Sequence, residues 1–376
     1  MRTNRFLLAA LAAVTLFASC SKEGGASDAE KGQVVIRIPG VKTSPDTRAV
    51  GDPALTAAGT IQLLDGHIFV IDAAGAVIHE EPLIVSAAST DPGQKLSEQV
   101  PADSRVYVLG NIPEDDRATL IAQTTFNGIK TASSLMATQT AYKTAALANS
   151  TGLPSNITLR TAATADDPAI YEAKVHIKPL ISRLEIVALQ GGVDAAGGRI
   201  TGFDVTGVFL DSYFSHFTYD GFGSGSQHLQ GTEETFTGIG DSDTWSAAIN
   251  GTGVWIASPD NTLTSPVKEA WVYNVAPSPV LTSVVPRVII RLENIKHTPS
   301  GGVQADVPGT HYLTIYGYDG VDAFERGKIY RIGVMGDNDL IFNLDHLGET
   351  PNASTVELYV RVYIDEWVLE TPDAEL

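Results

Sequence analysis

Cysteine and basic residues are both scarce in this sequence. A single Cys among 376 residues excludes an internal disulfide framework and a cysteine-rich metal site. Lys and Arg number 25 against 44 Asp and Glu, which gives a formal charge of −19. Because binding to nucleic acid requires basic residues that neutralise phosphates, this charge excludes nucleic acid as a partner. Beyond the first twenty residues, no apolar run approaches the ~20 residues that a membrane-spanning helix needs.

Glycine and proline are plentiful, at 35 and 19 residues, which favours short elements joined by turns. Apolar residues alternate with a period of two, beginning with Val34, Ile36 and Ile38, and this period is typical of β-strands. Further runs of strand character lie at 67–71, 77–79, 83–85, 105–109, 157–159, 184–187, 205–210, 253–256, 284–292, 312–316, 328–334 and 356–364. The Ala- and Thr-rich stretch 118–148 favours one or two short helices.

The length and this pattern predict an all-β chain of two β-sandwiches. A polar stretch with little strand character, 161–168, ends shortly before a fresh strand pattern begins at His176. We therefore expect an N-terminal domain over 49–175 and a C-terminal domain over 176–376, preceded by a leader (1–20) and a segment (21–48) described next.

The first twenty residues have the layout of a secretory signal. Arg2 and Arg5 precede an apolar stretch that ends at Phe17. The sequence Phe17-Ala18-Ser19-Cys20 resembles a bacterial lipobox, in which a peptidase cuts before a diacylated cysteine. The alternative is an ordinary secretory leader that contains a cysteine. Acyl chains on Cys20 would anchor the precursor in a membrane, and the small, charged residues 21–32 would form a flexible tether.

A polar loop, Ser44 to Ala49, follows the first strand and contains Arg48. This residue is the only Lys or Arg between Lys42 and Lys95. Exposed loops of small polar residues are the preferred sites of proteolysis. From these residues alone, an ordinary surface arginine is the alternative to a cleavage site.

An ordered set of motifs along most of the chain resembles the fimbrillins of Bacteroidia type V pili. The N-terminal members are the lipobox leader, the first strand and the Arg48-Ala49 step. The later members are the strand 63–72, the strand 104–112 with its Gly-Asn-Ile turn, the segment 181–186, the strand 327–332 and the segment 360–369 with its Glu-Trp-Val ending.

This resemblance implies two transthyretin-like, seven-stranded β-sandwich domains in tandem, with no catalytic residue, cofactor or metal. It also implies a lipidated outer-membrane precursor that an arginine-specific protease cuts between Arg48 and Ala49. The removed strand would carry Val34, Ile36 and Ile38. The C-terminal strand of a neighbouring subunit would fill the groove that this strand leaves, with Trp367, Val368 and Leu369 as donor residues.

Head-to-tail insertion of this kind does not close, so it gives a filament. The resemblance therefore implies an extracellular fimbrium whose partners are neighbouring subunits and, in adhesion, host proteins or other bacteria. Two points stay open. The donor segment begins either at Glu366 or near Val356, since residues 356–364 alternate like a permanent core strand, and Trp367 is either a donor anchor or a core residue.

Motifs that would indicate an enzyme or a metal site are weak. His216 and His228 stand twelve residues apart in a polar stretch, and the glycine-rich 221–226 lacks the spacing of a phosphate-binding loop. The sequences 241–243 and 337–339 each pair two Asp residues but do not continue into a calcium-binding loop. We predict that the chain is not an enzyme. The competing hypothesis to a pilin is a monomeric surface lipoprotein that binds a glycan or a host protein.

Overall fold

The computed structural model describes residues 31–39, 60–139, 145–186, 189–211, 213–228, 271–278, 286–333, 340–350, 358–366 and 368–370. Within these ranges strands predominate and the helices are short. The all-β fold predicted from the period of two is therefore confirmed.

The N-terminal part of the described chain contains the strands β1 to β12 and three short helices. The strands are Lys31–Arg37, Thr60–Gln62, Gly66–Ile71, Val77–Pro82, Gln94–Pro101, Arg105–Gly110, Ser133–Leu135, Leu147–Asn149, Ser155–Asn156, Thr158–Thr161, Ala169–Lys174 and Ile177–Pro179. The helices α1 to α3 are Val85–Ala88, Glu114–Ile121 and Phe126–Thr131, and a 3₁₀ helix covers Met136–Gln139.

The C-terminal part contains the strands β13 to β26. These are Ser182–Ile186, Gln190–Gly191, Arg199–Asp211, Tyr213–Thr218, Gly223–His228, Trp271–Val275, Arg287–Thr298, Ala305–Val307, His311–Asp319, Lys328–Ile332, Ile341–Phe342, Leu347–Gly348, Leu358–Glu366 and Val368–Glu370. A second 3₁₀ helix covers Leu344–His346 and is capped by the side chain of Asn343.

Two sheets of the N-terminal part share one hydrophobic core. A four-stranded sheet has the order β10-β11-β1-β5, and a second sheet has the order β12-β8-β6-β3-β4, with β9 beside β6. Apolar side chains of both sheets belong to one buried cluster, for example Val34 and Tyr171 from the first sheet and Ile68 and Val106 from the second. The two sheets therefore pack face to face as a β-sandwich.

The strands β3 and β6 are buried along almost their whole length. Helix α3 lies against one of them, where the Phe126 ring meets the Tyr107 ring at 5.0 Å between centroids. A strand that is covered on both faces needs apolar residues at successive positions, as found from Ile68 to Ile71.

One sheet organises the C-terminal part, with the order β15-β19-β21-β25-β22-β13-β18. The strands β20 and β24 pair with β19 and β21. Residues from both halves of this sheet, such as Ile290 of β19 and Leu184 of β13, belong to a second buried cluster. The sheet is therefore folded over around its own core.

We propose that each of the two clusters is the core of one domain. The boundary expected before His176 stays a prediction, and the packing favours a slightly later position. Ile177, Leu180 and Ile181 belong to the first cluster, whereas Leu184 belongs to the second. Strand β12 also pairs with β8 of the first sandwich. A division between Ile181 and Ser182 fits these contacts.

One strand prediction is wrong in this region. The apolar run 83–85 is not a strand, because a single helical turn begins at Val85 and the Ile84 side chain is 56% exposed. The short helices expected within 118–148 are confirmed by α3 and the end of α2, and α2 begins earlier, at Glu114. Among the described helices, none has the length and apolar character that would cross a membrane.

Candidate strand-exchange site

Strand β1 is an inner strand of the four-stranded sheet. It runs parallel to β11, where Val34 lies opposite Tyr171, and antiparallel to β5, where Val35 lies opposite Lys95. The β-branched run Val34-Val35-Ile36 favours an extended backbone, and Pro39 follows the strand closely. Because strands flank β1 on both sides, its main chain pairs along both edges.

The core face of β1 carries Val34, Ile36 and Ile38, whose exposed fractions are 0%, 0% and 2%. All three belong to the first hydrophobic cluster. Burial of an aliphatic side chain of this size contributes about 1.5–3 kcal/mol, so the three together contribute roughly 5–9 kcal/mol. The alternation read from the sequence therefore gives the correct inward face of this strand.

The C-terminal end of β1 is held by polar contacts. The Arg37 side chain forms an ion pair with Glu172, at 2.8 Å between Nε and Oε1, and a second one with Asp91. The main chain continues the pairing, since Val175 N–H donates to the Arg37 carbonyl at 2.8 Å. Ile38 N–H donates to the Ala88 carbonyl at 3.0 Å. These contacts fix β1 at the end that precedes Arg48 in the sequence.

Two glycines allow close packing around β1. A Cβ on Gly32 would lie 2.4 Å from the Tyr171 ring, and a Cβ on Gly93 would lie 2.5 Å from the Ile36 carbonyl oxygen. Gly93 also has φ +101°, in the region that favours glycine. The slot that β1 occupies is therefore narrow and shaped around its backbone.

Loss of β1 would leave a groove between β11 and β5. The groove would have unpaired main-chain groups on both walls and three vacated apolar positions on its floor, those of Val34, Ile36 and Ile38. Unpaired strand edges are templates for another strand. Chemically, the site can accept a strand with apolar residues at alternate positions.

The last two strands, β25 and β26, belong to different sheets. Strand β25 lies inside the large sheet, parallel to β21 and antiparallel to β22. Strand β26 instead pairs in parallel with β2, with Val368 opposite Thr60 and Leu369 opposite Ile61. Residues 358–366 are therefore an inner strand of the large sheet, whereas Val368–Glu370 pair outside it.

Asn111 holds the segment that receives β26. Its side-chain oxygen accepts from Leu64 N–H at 2.9 Å, and its Nδ2 donates to the carbonyls of Gln62 and Ala145 at 2.6 and 3.1 Å. Its φ of 50° lies in the left-handed region, where Asn is tolerated better than most residues. The Gly-Asn-Ile turn noted in the sequence therefore has a structural role that its spacing did not reveal.

A polar cluster around Glu81 joins β4 to β5, one wall of the β1 slot. Ser97 donates to Glu81 Oε2 from its main chain at 2.9 Å and from its hydroxyl at 2.6 Å. Gln94 Nε2 donates to the other carboxylate oxygen at 2.9 Å, and His79 lies 3.1 Å away. Burial acts to raise the pKa of Glu81, but these hydrogen bonds outweigh it and lower the pKa below its ordinary value. No motif in the sequence pointed to this cluster.

Several residues singled out in the sequence lie outside the described residues. These are Cys20, Arg48, Ala49 and Trp367, together with 241–243 and 337–339. The two histidines noted as a weak metal signal lie at different positions along a hairpin, because His216 is opposite Ser224 and His228 is opposite Tyr213. Among the described residues, no group of three or more His, Cys, Asp or Glu is arranged to hold a metal ion.

No family model matches the sequence, and no curated protein matches it. Solved structures do match. A candidate cell adhesion protein from Parabacteroides distasonis ATCC 8503 is 13% identical, with a TM-score of 0.52 over 90% of this chain and 99% of that one. A second candidate cell adhesion protein, from Bacteroides eggerthii DSM 20697, is 14% identical, with a TM-score of 0.50 over 93% of this chain and 100% of that one. A fimbrilin from Porphyromonas gingivalis W83 is 12% identical, with a TM-score of 0.48 over 91% of this chain and 99% of that one.

The structural neighbours are cell adhesion proteins and fimbrillins of Bacteroidales. The chain thus shares its fold with the two cell adhesion proteins whose TM-scores reach 0.50. The first two neighbours cover nine-tenths or more of both chains, so the shared fold extends over both hydrophobic clusters.

Proposed function

We propose that the chain is the precursor of a structural pilin that polymerises into fimbriae on the cell surface and supports adhesion. Cleavage after Arg48 releases β1, and the C-terminal strand of a neighbouring subunit fills the groove. The position of β1, as a buried inner strand at the N-terminal end of the chain, is the single observation that carries this proposal.

The placement of Arg48 supports the release step. Cleavage there separates β1 from everything after it, because Arg48 lies between β1 and β2 in the sequence. The remaining chain keeps β11 and β5, the two walls of the groove. Cleavage removes seven basic and four acidic residues, so the formal charge changes from −19 to −22.

The C-terminal strand supports the donation step. Strand β26, with Val368 and Leu369, pairs only along a three-residue stretch with β2 in the described part of the chain. Three pairs hold a strand much less firmly than the inner position of β1, so β26 is the segment that can exchange partners. Trp367 and Leu369 are two residues apart and would face the same side of the donor strand.

The precursor is proposed to be a lipoprotein of the outer membrane, held through Cys20 until cleavage. Removal of residues 1–48 discards the anchor and the first strand together. The mature subunit is then extracellular and bound to other subunits. The cell adhesion descriptions of the neighbours support this location and a role without catalysis.

An Arg-specific protease tests the proposal on the purified protein. We expect the precursor to stay monomeric and the cleaved protein to form ladders that resist SDS, measured on a gel with N-terminal sequencing of the product. The Arg48→Gln variant is the matched control and should stay uncleaved and monomeric. If correctly cleaved protein with an intact tail remains monomeric, the pilin proposal fails in favour of the monomeric lipoprotein.

A further inference from the structure

A cavity of about 570 Å³ lies among three turns of the described chain. Its walls are the turn between β8 and β9, the turn between β16 and β17, and the segment before β22, with side chains of α3 and β12 beside them. The volume falls within the ~300–1,000 Å³ that is usual for small-molecule sites. All lining residues follow Arg48 in the sequence, so the cavity belongs to the precursor and to the mature subunit alike.

Basic side chains outnumber acidic ones in this cavity, although the whole chain is strongly acidic. Lys130, Lys178 and Arg326 line it together with Asp220 and Glu325. The Asp220 carboxylate accepts a hydrogen bond from the Thr218 hydroxyl, so part of its charge is already engaged. In a protein of charge −19, a cavity with this balance favours an anionic ligand.

Arg326 is the buried cation of the cavity, with 9% of its surface exposed. Its guanidinium donates to the carbonyl oxygens of Asn149 and Asp220, the latter at 3.3 Å. Among the described residues, these partners are neutral carbonyls, and none is a carboxylate. The Asp220 carboxylate acts on Arg326 as a nearby charge but forms no ion pair with it. A buried cation in this position gains from a further anion that binds beside it.

The remaining lining suits a ring that carries hydroxyl groups. Phe222 offers an aromatic side chain and Leu153, 60% exposed, lies at the rim. Ser150 and Thr151 carry hydroxyl groups in the same turn, and that of Thr151 also bonds to the Leu153 main chain at 3.2 Å. Inorganic phosphate would use the cations but not the apolar wall, whereas a sugar ring uses both.

We propose that this cavity binds a carboxylated sugar, of the sialic or uronic acid type. The carboxylate lies beside Lys178 and Arg326, the ring packs on Phe222, and the hydroxyl groups bond to the turn at Ser150 and Thr151. The site goes beyond the proposed assembly, because one subunit is enough to form it. In a filament, repeated copies would raise the avidity for a surface that carries many such sugars.

Titration calorimetry with the uncleaved full-length protein tests this inference without any polymerisation. The probes are N-acetylneuraminic acid and glucuronic acid, with methyl glucoside as the neutral sugar. We expect both acids to bind with a Kd of roughly 0.1–10 mM and the neutral sugar at least tenfold more weakly. The variants Lys178→Gln and Phe222→Ala should each weaken binding of the acids about tenfold, while Lys95→Gln, on the exposed side of β5, should not.

Three results would overturn the inference. In the first, neither acid binds at ~10 mM, although circular dichroism shows that the protein is folded. Another is equal binding by acetate or by a short peptide with a free carboxyl terminus, which would assign the cavity to carboxylates without a sugar. The third is unchanged affinity in both cavity variants at an unchanged unfolding temperature.

Discussion

Single side chains decide how firmly β1 is held in the sandwich. Val34, Ile36 and Ile38 hold it from the core, where each side chain is at most 2% exposed. Asn111 acts on the segment that pairs with β26, because its side chain bonds to Gln62 and Leu64 from a distant part of the chain.

The substitution Ile36→Ala tests the burial of the strand. We expect it to lower the free energy of unfolding of the precursor by about 2–5 kcal/mol, because it leaves a cavity in the core. The matched control is Leu159→Ala in β10 of the same sheet, which is 58% exposed and should cost less than about 0.5 kcal/mol. Urea unfolding measures both, and equal effects would contradict the core position of Ile36.

The substitutions Asn111→Ala and Asn111→Gly separate two contributions of this residue. Each removes three hydrogen bonds and should destabilise the protein by about 2–4 kcal/mol. Alanine should cost about 1 kcal/mol more than glycine, because φ is positive there. Asn156→Ala, at an exposed position, is the control. If thermal unfolding shows that it loses as much stability as the Asn111 variants, the role given to Asn111 is wrong.

The pKa of Glu81 predicts a dependence of stability on pH. Because the folded state holds this pKa below its ordinary value, Glu81 contributes stability above about pH 4.3. That stability is lost as the pH falls through the lower, folded-state pKa. We expect Glu81→Gln to be less stable than the wild type at neutral pH and to approach it in acid, measured by urea unfolding at several pH values. A constant difference at all pH values would contradict the assignment.

Individual strands behave as the sequence predicted where their period of two is long. The run 356–364 alternates over nine residues, and its described part, from Leu358 on, belongs to β25, an inner strand. The run 83–85 is too short to define a period, and the structure turns into a helix at Val85. The pairing of β26 with β2 could not be predicted, because register between distant strands is set by the assembled sandwich.

A synthetic peptide with the sequence of residues 31–41 tests the groove at the scale of one element. Added in excess after cleavage, it should occupy the slot of β1 and suppress polymerisation, because it restores the native pairing with β11 and β5. A peptide with Val34→Asp and Ile36→Asp is the control and should leave the ladder on the gel unchanged. Polymerisation that proceeds equally with both peptides would contradict the proposed groove.

At the scale of the whole molecule, the fold was predictable as all-β with two cores, and the boundary between them was less so. Residues 177–181 read as the start of a new strand pattern but pack in the first cluster. The cavity around Arg326 could not be predicted from the sequence, because its walls come from distant turns that only the folded chain brings together.

Strand exchange between subunits is the central claim, and two variants that each lack one half of the exchange test it directly. The first is the uncleavable Arg48→Gln precursor, which has a tail but no open groove. The second is cleaved protein that lacks residues 367–376, which has a groove but no donor strand, while β25 keeps its place in the sheet.

Size-exclusion chromatography with light scattering gives the mass of each variant alone and of their mixture. We expect each variant alone to be a monomer and the mixture to form a one-to-one dimer and nothing larger. A mixture that stays monomeric, or a tail-less protein that polymerises alone, would contradict it.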